Sequence, residues 1–483
     1  MRIGPCVGRA VWQHRRPFSS ASTLRELRDA ASLPDRIEPR YEESPPSSLL
    51  SLHWPQPPRN ILIIPKLHVP RVTRSALVFA EHLARNYPDL NLVFEHRVAQ
   101  AVHESLPFPI YTTDSSQTRT LFPDKIDLIT TLGGDGTILR AASLFSLQPS
   151  VPPVLSFSMG TLGFLGEWKF EEHKRAWREV YMSGSGVAVD DLVAPHTQIA
   201  AGSVGDGGGS AATSSASSEE NAEALAAWGS VRGQSLGVKR VSRMLLRNRL
   251  KVGVYDQAGV NINDKLTSIP ATTTTFSSPT QQAKQVGPPC PPRSPVAANT
   301  PPPAFHAINE LLIHRGPHTH LAIIDIYIND HFLTEAVADG ILVSTPTGST
   351  AYSLSAGGAI IHPLVGSLLI TPICPRSLSF RPLVLPLNTK VSLRLSERNR
   401  GRDLEVSIDG KRKAGVGIGM EVRVEGEAVG RTADGSWRGG VPCVIRAPRH
   451  GARGVLMEDD DGWVGGLNSL LKFNYPFGET PAD

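Results

Sequence analysis

The sequence predicts an α/β N-terminal domain built on an open parallel sheet, followed by a C-terminal all-β, sandwich-like domain. Three observations carry this. Between residues 60 and 157, apolar strand-like runs alternate with stretches of helical periodicity, the pattern of consecutive βαβ units. From about residue 190 the chain changes to short alternating segments. Glycine-rich turns fall directly after strands of the first part, where an open α/β sheet places its ligands.

The chain has 483 residues, room for about three domains on length alone, but long tracts cannot pack and two is the better count. Residues 1–40 form a transit-like segment: Arg2, Arg9, Arg15, Arg16 and Arg25 precede the first acid, Glu26, among several serines. This is the composition of a mitochondrial presequence, so the expected location is the mitochondrial matrix. A plain basic tail on a cytoplasmic protein has the same composition. No run reaches the ~18 apolar residues of a membrane-spanning helix, and no membrane partner is expected. The net charge of +4 is small and no basic stripe interleaves with aromatics, so no nucleic-acid partner is expected either. The four cysteines, Cys6, Cys290, Cys374 and Cys443, lack metal-ligand spacing, which argues against a zinc site or a disulfide framework.

The first domain is set at residues 58–185. Residues 60–66 read as a strand, 73–85 as a helix, 90–95 and 125–132 as strands, and 153–157 as a further strand. Ile138, Ala141, Ala142 and Phe145 share one face of a helix between the last two. The second domain is set at 186–450, with strand-like segments at 242–254, 307–315, 322–328, 341–344, 383–386, 390–395 and 404–408. Two tracts interrupt it. Residues 201–230 are Gly, Ser and Ala with acids, and 271–303 are Thr, Ser, Gln and Pro. Neither offers enough apolar area to offset its ordering entropy, so both read as insertions at hairpin loops, a binding tail being the other use of such composition. Residues 451–483 read as a tail that packs back through Leu467, Leu470, Leu471 and Phe473.

The most informative segment is Thr130-Thr131-Leu132-Gly133-Gly134-Asp135-Gly136-Thr137. Glycines at a strand-to-helix turn let backbone N–H groups approach a polyphosphate, and the helix N-terminus adds partial positive charge. Asp135 is the odd member. A carboxylate beside phosphates is repelled unless it holds a metal ion or takes a proton, so it points to chemistry as well as binding. A connecting turn uses the same residue types, and the rest of the chain has to decide between the two.

Four further segments are unusual for loops. Met159-Gly160-Thr161-Leu162-Gly163-Phe164-Leu165-Gly166 follows a strand, and Phe164 could lie against a flat base or simply in a core. Asn309 and Glu310 sit beside a β-rich run, where successive side chains point to opposite faces unless the strand twists or ends there. From Asp339 to Gly358, a short strand leads through Thr345, Thr347, Ser349, Thr350, Tyr352, Ser353 and Ser355 to a double glycine, a set of uncharged hydroxyls suited to sugars and amides. From Thr371 to Pro382, three prolines stiffen a loop that carries Arg376 and Arg381, either a clamp or a scaffold.

Taken in this order, the five segments resemble those of the NAD kinase family. The resemblance spans about residues 60–474 without the two insertions. A lone GGDGT turn is weak, because diacylglycerol-type lipid kinases and phosphofructokinases carry similar turns; the five together are specific. The resemblance implies a phosphofructokinase-like N-terminal domain, ATP with Mg²⁺ or another divalent metal as cofactor, NAD⁺ or NADH as substrate, and a homo-oligomer that binds the dinucleotide across subunits. It implies Asp135 as catalytic residue, Gly133, Gly134, Gly136 and Thr137 at the phosphates, and Phe164 toward the adenine. Asn309, Glu310, Asp339, Thr350, Ala351, Tyr352 and Ser355 match dinucleotide contacts. No metal ligand is assigned beyond Mg²⁺ near Asp135, and Arg140 or Arg243 could help hold ATP. With its transit-like start the chain is similar to the mitochondrial NADH kinase branch. It departs from many members in having Ser158 and Met159, not Asn, before Gly160. A lipid kinase sharing the loop and an inactive dinucleotide sensor are the competing functions.

Overall fold

The computed structural model describes residues 26–43, 49–160, 164–166, 168–184, 241–267, 304–401, 403–433 and 437–446, with positions 463, 466, 467 and 471. Residues 1–25, both insertions and most of the tail at 451–483 lie outside the described residues.

Asn60–Pro65 is buried along its whole length, as a parallel strand covered on both faces must be. It pairs in parallel with Asn91–Phe94 and Leu128–Leu132, and the latter with Val154–Ser158. The helix Pro70–Asn86 starts on a proline whose missing N–H costs nothing there. It presses Val72, Ala76, Phe79, Ala80 and Leu83 onto one face of the sheet. On the other face lies the helix Asp135–Ser143, carrying Ile138, Ala141 and Ala142, with Phe145 just beyond it, as the periodicity predicts.

The sheet is wider than the sequence suggests. Val441–Val444 pairs beside Val154–Ser158, and Arg243–Arg247, Leu50–His53 and Arg40–Glu43 follow in antiparallel order. The run 242–254, expected in the second domain, is therefore two strands. Arg243–Arg247 joins the α/β sheet and Leu250–Tyr255 the sandwich. Covering the edge of Val154–Ser158 removes a row of unpaired backbone groups, a tertiary demand that local pattern does not reveal.

The far edge is closed by the N-terminal arm. Leu27–Asp29 pairs in parallel with Ile110–Thr112. The Lys125 ammonium donates to the Leu33 carbonyl and to Asp35, both at 2.8 Å. Buried Asp127 accepts from the N–H groups of Ile37, Arg59 and Asn60 at 2.7, 2.6 and 2.9 Å. So the last fifteen residues of the transit-like segment, 26–40, are folded onto the sheet. A protein beginning at Glu26 is expected to match the full chain in denaturation, whereas one beginning at Tyr41 should lose about 2–4 kcal/mol, from an orphaned Asp127 acceptor and the exposed faces around Ala30 and Leu33. Equal unfolding midpoints for the two shortened proteins would contradict this.

The second domain is a sandwich of two antiparallel sheets, each of six strands among the described residues. One runs in the order Phe305–Ala307, Leu250–Tyr255, Glu421–Gly426, Val391–Leu395, Ala322–Ile328, His331–Ala338. The other runs Leu383–Pro386, Ser367–Ile373, Gly340–Ser344, Glu310–His314, Asp403–Ile408, Lys411–Gly417. Alternation drives it: Leu311 and Ile313, Ile341 and Val343, and Leu368 and Ile370 all enter one core with Leu250, Val252, Ile324 and Ile326.

Candidate functional site

Strand Leu128–Leu132 delivers the chain to Gly133, whose N–H donates to the Phe157 carbonyl at 2.9 Å. A Cβ here would stand 2.3 Å from Thr137 Oγ1 and 3.1 Å from Lys66 Cβ, so the closeness of neighbouring chain requires glycine. Gly134 and Gly136 are exposed, and a Cβ on either would meet nothing within 4 Å. They leave the start of the helix open to a bulky anion. Thr137 is buried beneath them, its N–H donating to the Gly134 carbonyl at 2.8 Å.

Asp135 opens the helix, and its carboxylate spans to the second glycine-rich segment. Oδ2 accepts from the Phe164 N–H and Oδ1 from the Leu165 N–H, both at 3.1 Å. One residue thus fixes two loops. The Phe164 carbonyl is in turn reached by Arg247 at 3.3 Å, and half-buried Phe164 is left beside the phosphate loop. Residues 161–163 lie outside the described residues.

Leu165 and Ile138 share a buried cluster with Ile308, which brings the second domain's Asn309 and Glu310 to the junction. The strand begins at Glu310, so Asn309, just before it, escapes the alternation that would turn the two apart. Asn309 Oδ1 and Glu310 Oε2 are buried without a hydrogen-bond partner. Two orphaned acceptors at one place are costly unless a ligand supplies donors.

The hydroxyl-rich run packs directly on this pair. Thr345 N–H donates to the Asn309 carbonyl at 2.9 Å, Thr345 Oγ1 donates to the Ile308 carbonyl, and Gly348 N–H donates to Thr345 Oγ1 at 3.0 Å. A Cβ on Gly348 would fall 2.1 Å from the Asn309 carbonyl oxygen. The tight turn Thr347–Thr350 and the short helix Tyr352–Ser355 follow and carry Thr350, Ala351, Tyr352 and Ser355, with Tyr352 40% exposed. Ser353 and Thr371 share a 2.8 Å hydroxyl contact, which ties this run to the proline-rich segment.

Asp339 is not brought into this group. It lies at the other end of strand Gly340–Ser344, roughly 17 Å along the chain at β-strand rise, where it pairs with Arg315 at 2.6 Å. Arg140 is committed to Glu95 and to the Pro65 carbonyl; Arg243 sits on its strand of the α/β sheet. Other cations were not singled out by sequence. Lys66 is exposed beside Gly133. Lys411 donates to Ser143 Oγ on the phosphate-loop helix, and Lys413 lies 4.1 Å over the Phe305 ring. Burial, with Arg119 and Lys411 nearby, pushes Lys413 down to about 8. Asp409 also went unnoticed. Its one sequence signal is Asp-Gly between two alternating runs, a hairpin mark.

Burial, with Asp409 beside it, pushes the Glu310 carboxyl up to about 7. The native state therefore holds a proton that the unfolded chain releases near 4.5. This contribution to stability is fully present below that value and is lost as pH rises through 7. Glu310→Gln is expected to stabilise the ligand-free protein by up to ~3 kcal/mol at pH 8 and by much less at pH 5. Urea denaturation at both pH values checks it; a gain independent of pH would reject it.

Comparison with known proteins gives the same outline. Residues 70–185 match the ATP-NAD kinase N-terminal domain and residues 308–427 the ATP-NAD kinase C-terminal domain. The chain is 34% identical over 461 residues to the mitochondrial NADH kinase pos5 of Schizosaccharomyces pombe, covering 94% of this chain and 86% of that protein. It is 28% identical to the mitochondrial NADH kinase POS5 of Saccharomyces cerevisiae, covering 96% and 92%. Among solved structures, yeast NADH kinase complexed with NADH superimposes with a TM-score of 0.65 at 28% identity, covering 94% of this chain and 98% of that one. With both domains matched in order around one junction, the chain belongs to the NAD kinase family.

Proposed function

We propose that this protein is a mitochondrial NAD(H) kinase. It transfers the γ-phosphoryl group of ATP to the 2′-hydroxyl of the adenosine ribose, with NADH as the preferred acceptor and NAD⁺ as a second one. The observation that carries this reading is the pair of orphaned acceptors on Asn309 and Glu310, buried in contact range of the hydroxyl-rich turn and next to the helix that starts at Asp135. Ribose hydroxyls and a carboxamide supply the donors those acceptors lack.

In this reading Gly133, Gly134, Gly136 and Thr137 receive the ATP phosphates, and Lys66, beside Gly133, adds positive field at the same mouth. Asp135 orients the 2′-hydroxyl and takes its proton, while its hold on the Phe164 and Leu165 N–H groups keeps Phe164 toward the adenine. Asn309, Glu310, Thr350, Ala351, Tyr352 and Ser355 contact the dinucleotide. Asp339 serves the site of a second copy in a homo-oligomer. Among the described residues no three metal-binding side chains gather. Asp135 and the phosphates would hold Mg²⁺, and the ion would neutralise charge on the β- and γ-phosphate oxygens. Membership of the family sets aside the lipid-kinase reading.

The test uses protein beginning at Glu26 with Mg-ATP and either NADH or NAD⁺, scoring NADPH and NADP⁺ separately. Faster NADPH formation is expected. Faster NADP⁺ formation would overturn the preference, and no product from either would leave a dinucleotide sensor.

A further inference from the structure

The turn between strands Asp403–Ile408 and Lys411–Gly417 has an unusual construction. Asp409 and Gly410 both take the left-handed backbone conformation, with φ of 47° and 72°. For Asp409 this is a cost, and something must hold it there. Its carboxylate accepts three backbone N–H groups in succession, from Ile308 and Asn309 at 2.8 Å and from Glu310 at 3.2 Å, while its own N–H donates to the Glu310 carbonyl at 3.0 Å. Two residues on, Lys411 reaches across the domain junction to Ser143 Oγ. Ser143 ends the helix that Asp135 begins, and a cation there is favoured by the helix dipole.

We propose that the turn Asp409-Gly410-Lys411 is a positioning device, which holds the acceptor-binding pair Asn309 and Glu310 in register with the phosphate-loop helix. The proposal rests on the NAD(H) kinase reading. Neither bond is needed to build the elements it touches. Strand Glu310–His314 is already paired on both sides, with Gly340–Ser344 and with Asp403–Ile408. The helix is already docked through Ile138, Ala141 and Ala142. What the turn adds is a fixed relation between the group that binds the acceptor and the helix that carries the catalytic carboxylate. Phosphoryl transfer depends on that relation, because its catalysis is mostly alignment.

Two sets of variants separate this from a scaffold role. Asp409→Asn keeps the shape but sets an amide N–H₂ against a backbone N–H, so it is expected to weaken NADH binding about tenfold, the loss of one hydrogen bond to a charged group, with the KM for ATP unchanged. Lys411→Ala and Ser143→Ala each break the tie to the helix. Each is expected to lower kcat, by up to about 10²-fold for a misalignment near 1 Å, with the KM for NADH unchanged. The double variant should be no slower than the slower single one, and Lys411→Arg should recover most of the rate.

Additive losses in the double variant would overturn the proposal. So would a silent Ser143→Ala beside a Lys411→Ala that raises a KM, since Lys411 would then be touching substrate. An Asp409→Asn protein that loses melting temperature and affinity for both substrates alike would show a scaffold residue instead. NADH binding is read by fluorescence without ATP, so a wild type that binds NADH but makes no NADPH would defeat the kinase reading while Asp409→Asn still tests the acceptor side.

Discussion

Asp135→Asn is expected to lower kcat by about 10²- to 10⁴-fold, the range for removal of a positioned proton acceptor, in a protein that still folds. The structure sharpens what else changes. The carboxylate accepts two N–H groups, from Phe164 and Leu165. An amide oxygen can keep one of these bonds, but its NH₂ faces the other donor. Asp135→Ala loses both. The two variants should therefore share the chemical loss and differ in NADH affinity, alanine being the weaker binder because it releases Phe164. Steady-state rates give the first quantity and a fluorescence titration the second. Turnover within a few-fold of wild type would reject a catalytic role for Asp135. Equal NADH affinity in all three proteins would reject its role as the tie between the two glycine-rich segments.

Arg249→Leu is expected to destabilise the fold by about 3–5 kcal/mol, the cost of stranding one member of a buried ion pair. Arg249 is 1% exposed and Glu427 7%. The guanidinium grips both Glu427 oxygens, at 2.7 and 2.6 Å, and also donates to the carbonyls of Phe145 and Gln148. Those carbonyls belong to the exit of the phosphate-loop helix, so the pair locks the sandwich to the α/β domain. Glu427 keeps the Gly440 N–H at 2.8 Å and His306 at 3.4 Å. Burial and Arg249 push His306 down to about 4, so at neutral pH it is uncharged in the intact protein. Leucine at both 249 and 427 should recover much of the loss, because no charge is then stranded. Denaturant unfolding of the two single variants and the double one measures this; a double variant as unstable as the sum of the singles would contradict it.

The parts of the fold that sequence reveals are those where local pattern and final environment agree. Asn60–Pro65 and Leu128–Leu132 are buried on both faces and read as apolar stretches in which Asn60, at the start of the first, and Thr130 and Thr131 are the only polar residues. Leu311 and Ile313 alternate because one face meets a core. The phosphate loop is legible because its glycines and Asp135 are needed in one short stretch. What stays hidden depends on partners far away in sequence. Arg243–Arg247 and Val441–Val444 cover the edge of Val154–Ser158, and nothing local marks that duty. The place of residues 26–40 in the sheet is not legible either, since a short edge strand needs only Leu27 and a few anchors such as the bond to Asp127. The raised carboxyl of Glu310 required knowing that the fold buries it and that Asp409 turns back beside it. The displacement of Asp339 from the other dinucleotide-matching residues required knowing which way strand Gly340–Ser344 runs.

The sandwich is one continuous stretch of chain: all its strands fall between Leu250 and Gly426. The α/β sheet is not. It draws on Leu27–Asp29 at one extreme and Val441–Val444 at the other, and the Tyr41 carbonyl accepts from Arg431, 390 positions further on. Contacts so distant along the chain close slowly, and domains generally fold as units as they become available. The inserted sandwich can reach its native pairing while the sheet around it is still open. The phosphate loop, on a strand at the centre of that sheet, gains its finished setting only after the last strand arrives, so the capacity to bind dinucleotide should precede the capacity to phosphorylate it during refolding.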